Sequence, residues 1–90
     1  MLREKNVEQR LVKKIKERGG LCLKWTSPGT TGVPDRLVFF QGQVIPVELK
    51  SPSGVLSPRQ VLMMKNLSGC GITTKVLSSY QEVDDFVDSL

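Results

Sequence analysis

Gly32-Val33-Pro34-Asp35 is followed thirteen residues later by Glu48-Leu49-Lys50. One carboxylate closes a loop rich in Gly and Pro. A second carboxylate and an ammonium lie two apart at the end of the apolar run Val44-Ile45-Pro46-Val47. Residues two apart in a strand share a face, so Glu48 and Lys50 project together where a strand buried on both faces carries Val or Ile. Two carboxylates and an ammonium are the groups that metal-dependent cleavage of a phosphodiester needs. Mg²⁺ takes hard oxygen ligands, typically one or two carboxylates plus water and substrate phosphate. Asp35 and Glu48 would provide the carboxylates, and the backbone carbonyl of Leu49 a further oxygen. Such an ion lowers the pKa of a bound water and offsets phosphate charge. Lys50 would orient that water and stabilise the developing charge. Taken singly the residues have simpler explanations, since Asp is common in turns and a salt bridge to Lys50 would satisfy Glu48. That bridge leaves unexplained why charges occupy this strand at all, where an unpaired carboxylate is costly.

Two more residues point toward the same place. Glu8 falls between Val12 and Ile15 on a helical wheel, inside the apolar arc, with no basic residue at i+3 or i+4. Lys5 is its one local partner, so a surface ion pair accounts for it weakly. It could face a metal directly or through a water. Glu4 shares the arc one turn earlier and competes for the role, although it sits in a first turn that frays. Gln60 lies on one stripe with Met63, Met64 and Leu67. Ser57-x-x-Gln60 is also a capping box, which by itself explains Gln60.

The elements that would position these groups follow from periodicity and punctuation. Residues 3–18 read as a helix with Val7, Leu11, Val12 and Ile15 on one stripe, ended by Gly19-Gly20. Residues 21–26 are a strand, and 27–32 a loop of turn-forming residues. Residues 36–40 and 43–50 form a hairpin turning at Gln41-Gly42. A second loop leads to a helix over 57–68, with Ser57 at its cap and Pro58 at its first position. Residues 72–77 are a strand, and a last helix starts near Ser79, burying Val83, Phe86, Val87 and Leu90. The fold class is α/β, in the order α-β-β-β-α-β-α: one mixed sheet of about four strands flanked by helices. A helical crossover makes strand 72–77 parallel to strand 43–50.

Composition narrows the partners. Ninety residues make a single domain with a modest core, burying roughly 60–65% of the unfolded surface. The net charge is +4, and seven of thirteen basic residues fall in the first eighteen positions. The acids Glu82, Asp84, Asp85 and Asp88 crowd the other end. This layout gives one face suited to a polyanion, although charge runs are more often solvated helix faces. The chain has no His and only two Cys, which excludes histidine-based catalysis and most zinc sites. Cys22 and Cys70 read as reduced core residues of a cytoplasmic protein, because the charged N-terminus lacks an apolar leader. No run approaches the ~20 residues that span a bilayer. Trp25 and Tyr80 read as packing residues rather than a base-stacking platform.

The segments Pro34-Asp35 and Glu48-Leu49-Lys50 resemble the signature of the PD-(D/E)xK nuclease superfamily. With Gly32-Val33, Ser57-x-x-Gln60 and a first-helix acid at Glu8, nearly the whole chain resembles a stand-alone VRR-NUC (virus-type replication-repair nuclease) domain. The resemblance implies a restriction-endonuclease-like fold and Mg²⁺- or Mn²⁺-dependent DNA cleavage in a bacterial or phage-infected cell. It assigns catalysis to Asp35, Glu48, Lys50, Glu8 and Gln60. Small phage and bacterial members act as homodimers on branched DNA, including four-way (Holliday) junctions. The basic residues Arg3, Lys5, Arg10, Lys13, Lys14 and Lys24 would contact phosphates, which positions DNA without reading sequence. The rivals are a flap, nick or duplex endonuclease working with a helicase or restriction system, and a non-catalytic DNA-binding module.

Overall fold

A computed structural model describes residues 1–90. The elements run α1 (Glu4–Glu17), β1 (Leu21–Lys24), β2 (Arg36–Phe40), β3 (Gln43–Leu49), α2 (Pro58–Gly69), β4 (Lys75–Leu77) and α3 (Tyr80–Asp88), in the expected order. The four strands make one sheet in the order β1-β2-β3-β4. The β1–β2 and β2–β3 pairs are antiparallel, and β3–β4 is parallel, as a crossover through α2 requires.

Local sequence explains the joints. α1 stops at Gly19, whose φ of 83° lets Gly20 N–H reach back to Ile15 O at 3.0 Å. Gln41 and Gly42 both take positive φ, the turn whose twist matches a two-residue hairpin. β4 is shorter than expected because Ile72 N–H bonds Leu67 O at 2.9 Å, which closes the end of α2. β1 ends at Lys24, and Trp25 N–H makes a last bond to Asp35 O.

Core and surface follow the strand alternation. Val7, Leu11 and Ile15 of α1 pack with Val38, Val47 and Leu49 of the sheet, and with Val83, Phe86 and Val87 of α3. Val44, Pro46 and Glu48 alternate with these core residues and so face the other side of β3. Pro46 is tolerated because β4 pairs only from Val47 onward, so no neighbour awaits its missing N–H.

One helix is covered less than its apolar stripe would allow, and one core expectation, that for Cys70, needs correction. α2 buries none of its residues, so Met63, Met64 and Leu67 are half-covered rather than core. Cys70 is exposed at the end of α2, while Cys22 is half-buried against the core. Burial pushes the Cys22 thiol up to about 11, and both thiols are free.

Candidate active site

Asp35 and Glu48 meet where the ends of β2 and β3 lie side by side. Arg36 pairs with Val47, so the residue before one stands beside the residue after the other. Leu49 N–H donates to Asp35 Oδ2 at 3.0 Å, which fixes the aspartate against β3. N–H and C=O of one strand residue point to the same side, so the Leu49 carbonyl is turned toward Asp35 as well. Oxygens of Asp35, Glu48 and Glu4 all lie within 4.8 Å of one another.

Glu48 is 3% exposed. Its Oε2 accepts from Gln60 Nε2 at 3.0 Å and lies 3.4 Å from Lys50 Nζ. Its Oε1 is buried with no hydrogen-bond partner. Burial, and then the negative charge of Asp35, raise the Glu48 carboxyl to about 7 against the opposing pull of Lys50. An orphaned buried carboxylate oxygen costs on the order of a few kcal/mol. A cation with oxygen ligands would relieve both penalties, so the donor set fits a hard divalent ion.

Gln60 serves cap and site together. Its Oε1 accepts from Ser57 N–H at 2.9 Å while its Nε2 donates to Glu48. Ser57 Oγ in turn accepts from Gln60 N–H at 3.2 Å. The loop before Asp35 holds this turn in place. Gly32 has φ 88°, and a Cβ there would lie 2.6 Å from Arg59 O. Arg59 Nη1 also donates to Thr31 Oγ1 at 2.9 Å.

Glu8 does not join the acidic group. Its Oε2 accepts from Arg36 Nε at 2.8 Å, and the Arg36 Nη1 also donates to Cys22 O. Arg36 follows Asp35 in the strand, so it points to the opposite face, beneath α1, and draws Glu8 there. Glu4, one turn earlier, is the helix acid that reaches the site.

The basic residues also divide. Arg10 binds Asp84 through two hydrogen bonds of 2.8 Å, Lys14 lies 3.7 Å from the same carboxylate, and the Arg10 guanidinium covers the Tyr80 ring. These two expected phosphate contacts are instead occupied in binding α3. Lys5, Lys13 and Lys24 line one groove with Lys16 and Arg36, two residues missed from sequence. Arg3 is exposed at the start of α1.

No protein-family model matches the chain. It is 39% identical over 80 residues to "Putative nuclease p44" of Acyrthosiphon pisum secondary endosymbiont phage 1, an alignment covering 88% of this chain and 86% of that protein. Its fold superposes on a solved "VRR_NUC domain" with a TM-score of 0.86 at 26% identity, over 94% of each chain. The chain belongs to the VRR-NUC nuclease family. In this VRR-NUC domain the carboxylates come from α1, the loop before β2, and β3, and only Glu48 is buried. Lys50 Nζ stands on the same side of β3 as Glu48, as their spacing predicts.

Proposed function

We propose that residues 1–90 form a single nuclease domain, an endonuclease dependent on Mg²⁺ or Mn²⁺ that cuts branched DNA such as four-way junctions. The observation that carries this reading is the gathering of Glu4, Asp35, Lys50 and Gln60 around a buried Glu48 with one oxygen unpartnered. Asp35, Glu48 and Glu4 would hold the ion, with the Leu49 carbonyl turned to the same side. When bound, the ion lowers the pKa of a water and offsets charge on the phosphate.

The chain's own groups do the rest. Lys50 donates to the attacking water and holds it in line with phosphorus. As the water oxygen bonds to phosphorus and gives its proton to solvent, one P–O ester bond breaks and the leaving oxygen takes a proton from solvent, while the fixed ammonium stabilises the added negative charge. Gln60 donates to one Glu48 oxygen and so leaves the other free. Its amide cannot turn over, because Ser57 N–H claims its carbonyl end.

Two cuts across a two-fold junction call for two equivalent sites, which a symmetric dimer provides. An apolar rung supports dimerisation. Leu21, Phe39 and Val44 stand side by side across three strands on the face turned from α1, with Leu21 59% and Val44 51% exposed. Sedimentation of the chain as a monomer at working concentration removes that part of the reading.

The activity is tested on a synthetic four-way junction beside flap, nicked and linear duplex substrates, with Mg²⁺ and with Mn²⁺. The parent is expected to cut the junction fastest, and Asp35→Ala and Lys50→Ala to lose about 10²-fold or more. Variants that cut as well as the parent place the chemistry elsewhere. A preference for flap or duplex moves the substrate to the helicase- or restriction-associated class. Metal-independent binding without product marks a non-catalytic module.

A further inference from the structure

α1 sorts its cations between two flanks. Arg10, Lys14 and Arg18, spaced four apart, all turn to α3. The first two meet Asp84, and Arg18 donates to Val87 O at 3.0 Å and Leu90 O at 3.2 Å. These charges are committed to holding the fold. Lys5, Lys13 and Lys16 lie on the other flank, where they line a groove of about 520 Å³ with Lys24 of β1 and Arg36 of β2. The groove carries five cations and one carboxylate, that of Glu8, which is bound to Arg36.

Position and length say what lies in it. Lys5 follows Glu4 and Arg36 follows Asp35, so one end of the groove adjoins two of the three acids of the site. From there Lys5 to Lys16 spans eleven residues, about 16 Å of helix. One strand of duplex presents a phosphate about every 3.4 Å along its axis, so this length matches about five phosphates. The lining has no aromatic side chain, so nothing in it would stack bases, and its row of cations suits phosphates. On the basis of the nuclease reading above, we propose that this groove carries the phosphodiester backbone of the strand leaving the metal site, with Arg36 at its floor and Glu8 weakening its grip.

Glu8 is the unusual part. An acid in a phosphate track lowers affinity, both by its own charge and by occupying the guanidinium that would otherwise fork onto a phosphate. A nuclease that must release its product gains from such a limit. The consequence is opposite to that of a metal ligand: neutralising Glu8 should tighten DNA binding, whereas removing a ligand would abolish cleavage.

The experiment measures binding of the full chain to a labelled four-way junction in EDTA, between 50 and 200 mM salt, with cleavage in Mg²⁺ measured separately. Each phosphate that the protein no longer neutralises lowers the slope of log K against log salt by about 0.9. Lys13→Gln with Lys16→Gln should therefore lower it by up to about 2. Arg10→Gln with Lys14→Gln removes the same charge from the same helix and should leave the slope unchanged. Glu8→Gln should bind several-fold tighter at each salt concentration. Equal reductions in slope from both pairs, or none from Lys13 and Lys16, overturn the track. A parent that does not bind in EDTA also overturns it, since binding along this groove needs no metal. If Glu8→Gln fails to fold by circular dichroism, the two Lys positions, exposed on α1, still decide. Cleavage by a parent whose slope ignores Lys13 and Lys16 removes the groove alone. A parent that neither binds nor cuts removes the nuclease reading as well.

Discussion

At the scale of single residues, the site depends on an amide used at both ends. Gln60 accepts from Ser57 N–H and donates to Glu48, so its two functions can be separated by substitution. Gln60→Glu keeps an acceptor for the cap, and Glu at this position is a normal capping-box partner. It also replaces the donor to Glu48 with a second negative charge. The expected outcome is a helix and a thermal midpoint close to the parent, with cleavage reduced at least tenfold. That loss corresponds to the ~1.5–3 kcal/mol of a hydrogen bond to a charged group. Unchanged cleavage would leave Gln60 a cap alone. Glu48 and Lys50 stand out in the sequence because strand alternation is strict and they put charge beside an apolar strand run, whereas Asp35 stands out only as the acid that ends a Gly/Pro-rich loop thirteen residues earlier. Glu8 is placed differently, and for a definite reason. Helical spacing offers partners only three and four residues away, whereas the partner of Glu8, Arg36, arrives from a strand 28 positions later. The parity of Arg36, opposite to that of Asp35, was the available signal.

At the scale of elements, punctuation fixed more than periodicity did. The Gly19 stop, the Gln41-Gly42 turn and the Ser57 and Ser79 caps all lie where their residue types place them. The stripe of Met63, Met64 and Leu67 gave the inward side of α2 but not its depth, because periodicity orients a face without stating what covers it. α2 buries no side chain, so its placement depends on its first turn. That turn is held by Gly32, whose missing side chain lets the loop before Asp35 touch Arg59 O. Gly32→Ala would add a Cβ 2.6 Å from that carbonyl at a φ of 88°, a strain of roughly 1–3 kcal/mol. A loosely packed helix yields before the core does, so α2 should shift and carry Gln60 off Glu48. Helical content should persist in circular dichroism while cleavage falls about as far as in Gln60→Glu. Parent-like cleavage by Gly32→Ala would show that this close approach does not position the site.

At the scale of the whole molecule, a core of ten buried apolar residues must tolerate one buried carboxylate. Small domains have little stability to spare, and Glu48 should therefore be visible in the stability of the entire chain. An unfolded Glu loses its proton near 4.5, whereas folded Glu48 keeps its proton up to about 7. Between those values the folded state binds more protons than the unfolded state, so stability contributed by Glu48 is present below 4.5 and declines as pH rises through 7. Most paired acids act in the opposite sense. Asp84, held low by Arg10, and Glu82, held low by the backbone and hydroxyl of Ser78, contribute stability above their unfolded values, but Glu82 is exposed and Asp84 only half-buried, so solvent screening keeps both contributions small. Thermal melts in EDTA should therefore show the parent losing stability between pH 5 and pH 8. Glu48→Gln, with no proton to lose there, should show a much flatter profile. Metal binding needs the ionised carboxylate and stabilises only the folded chain. Added Mg²⁺ or Mn²⁺ should raise the midpoint of the parent at pH 8 far more than at pH 5, and barely that of Glu48→Gln. A parent whose melting is flat or rises with pH in EDTA would mean that Glu48 is already ionised and satisfied without a metal, removing the main electrostatic argument for an ion at this site.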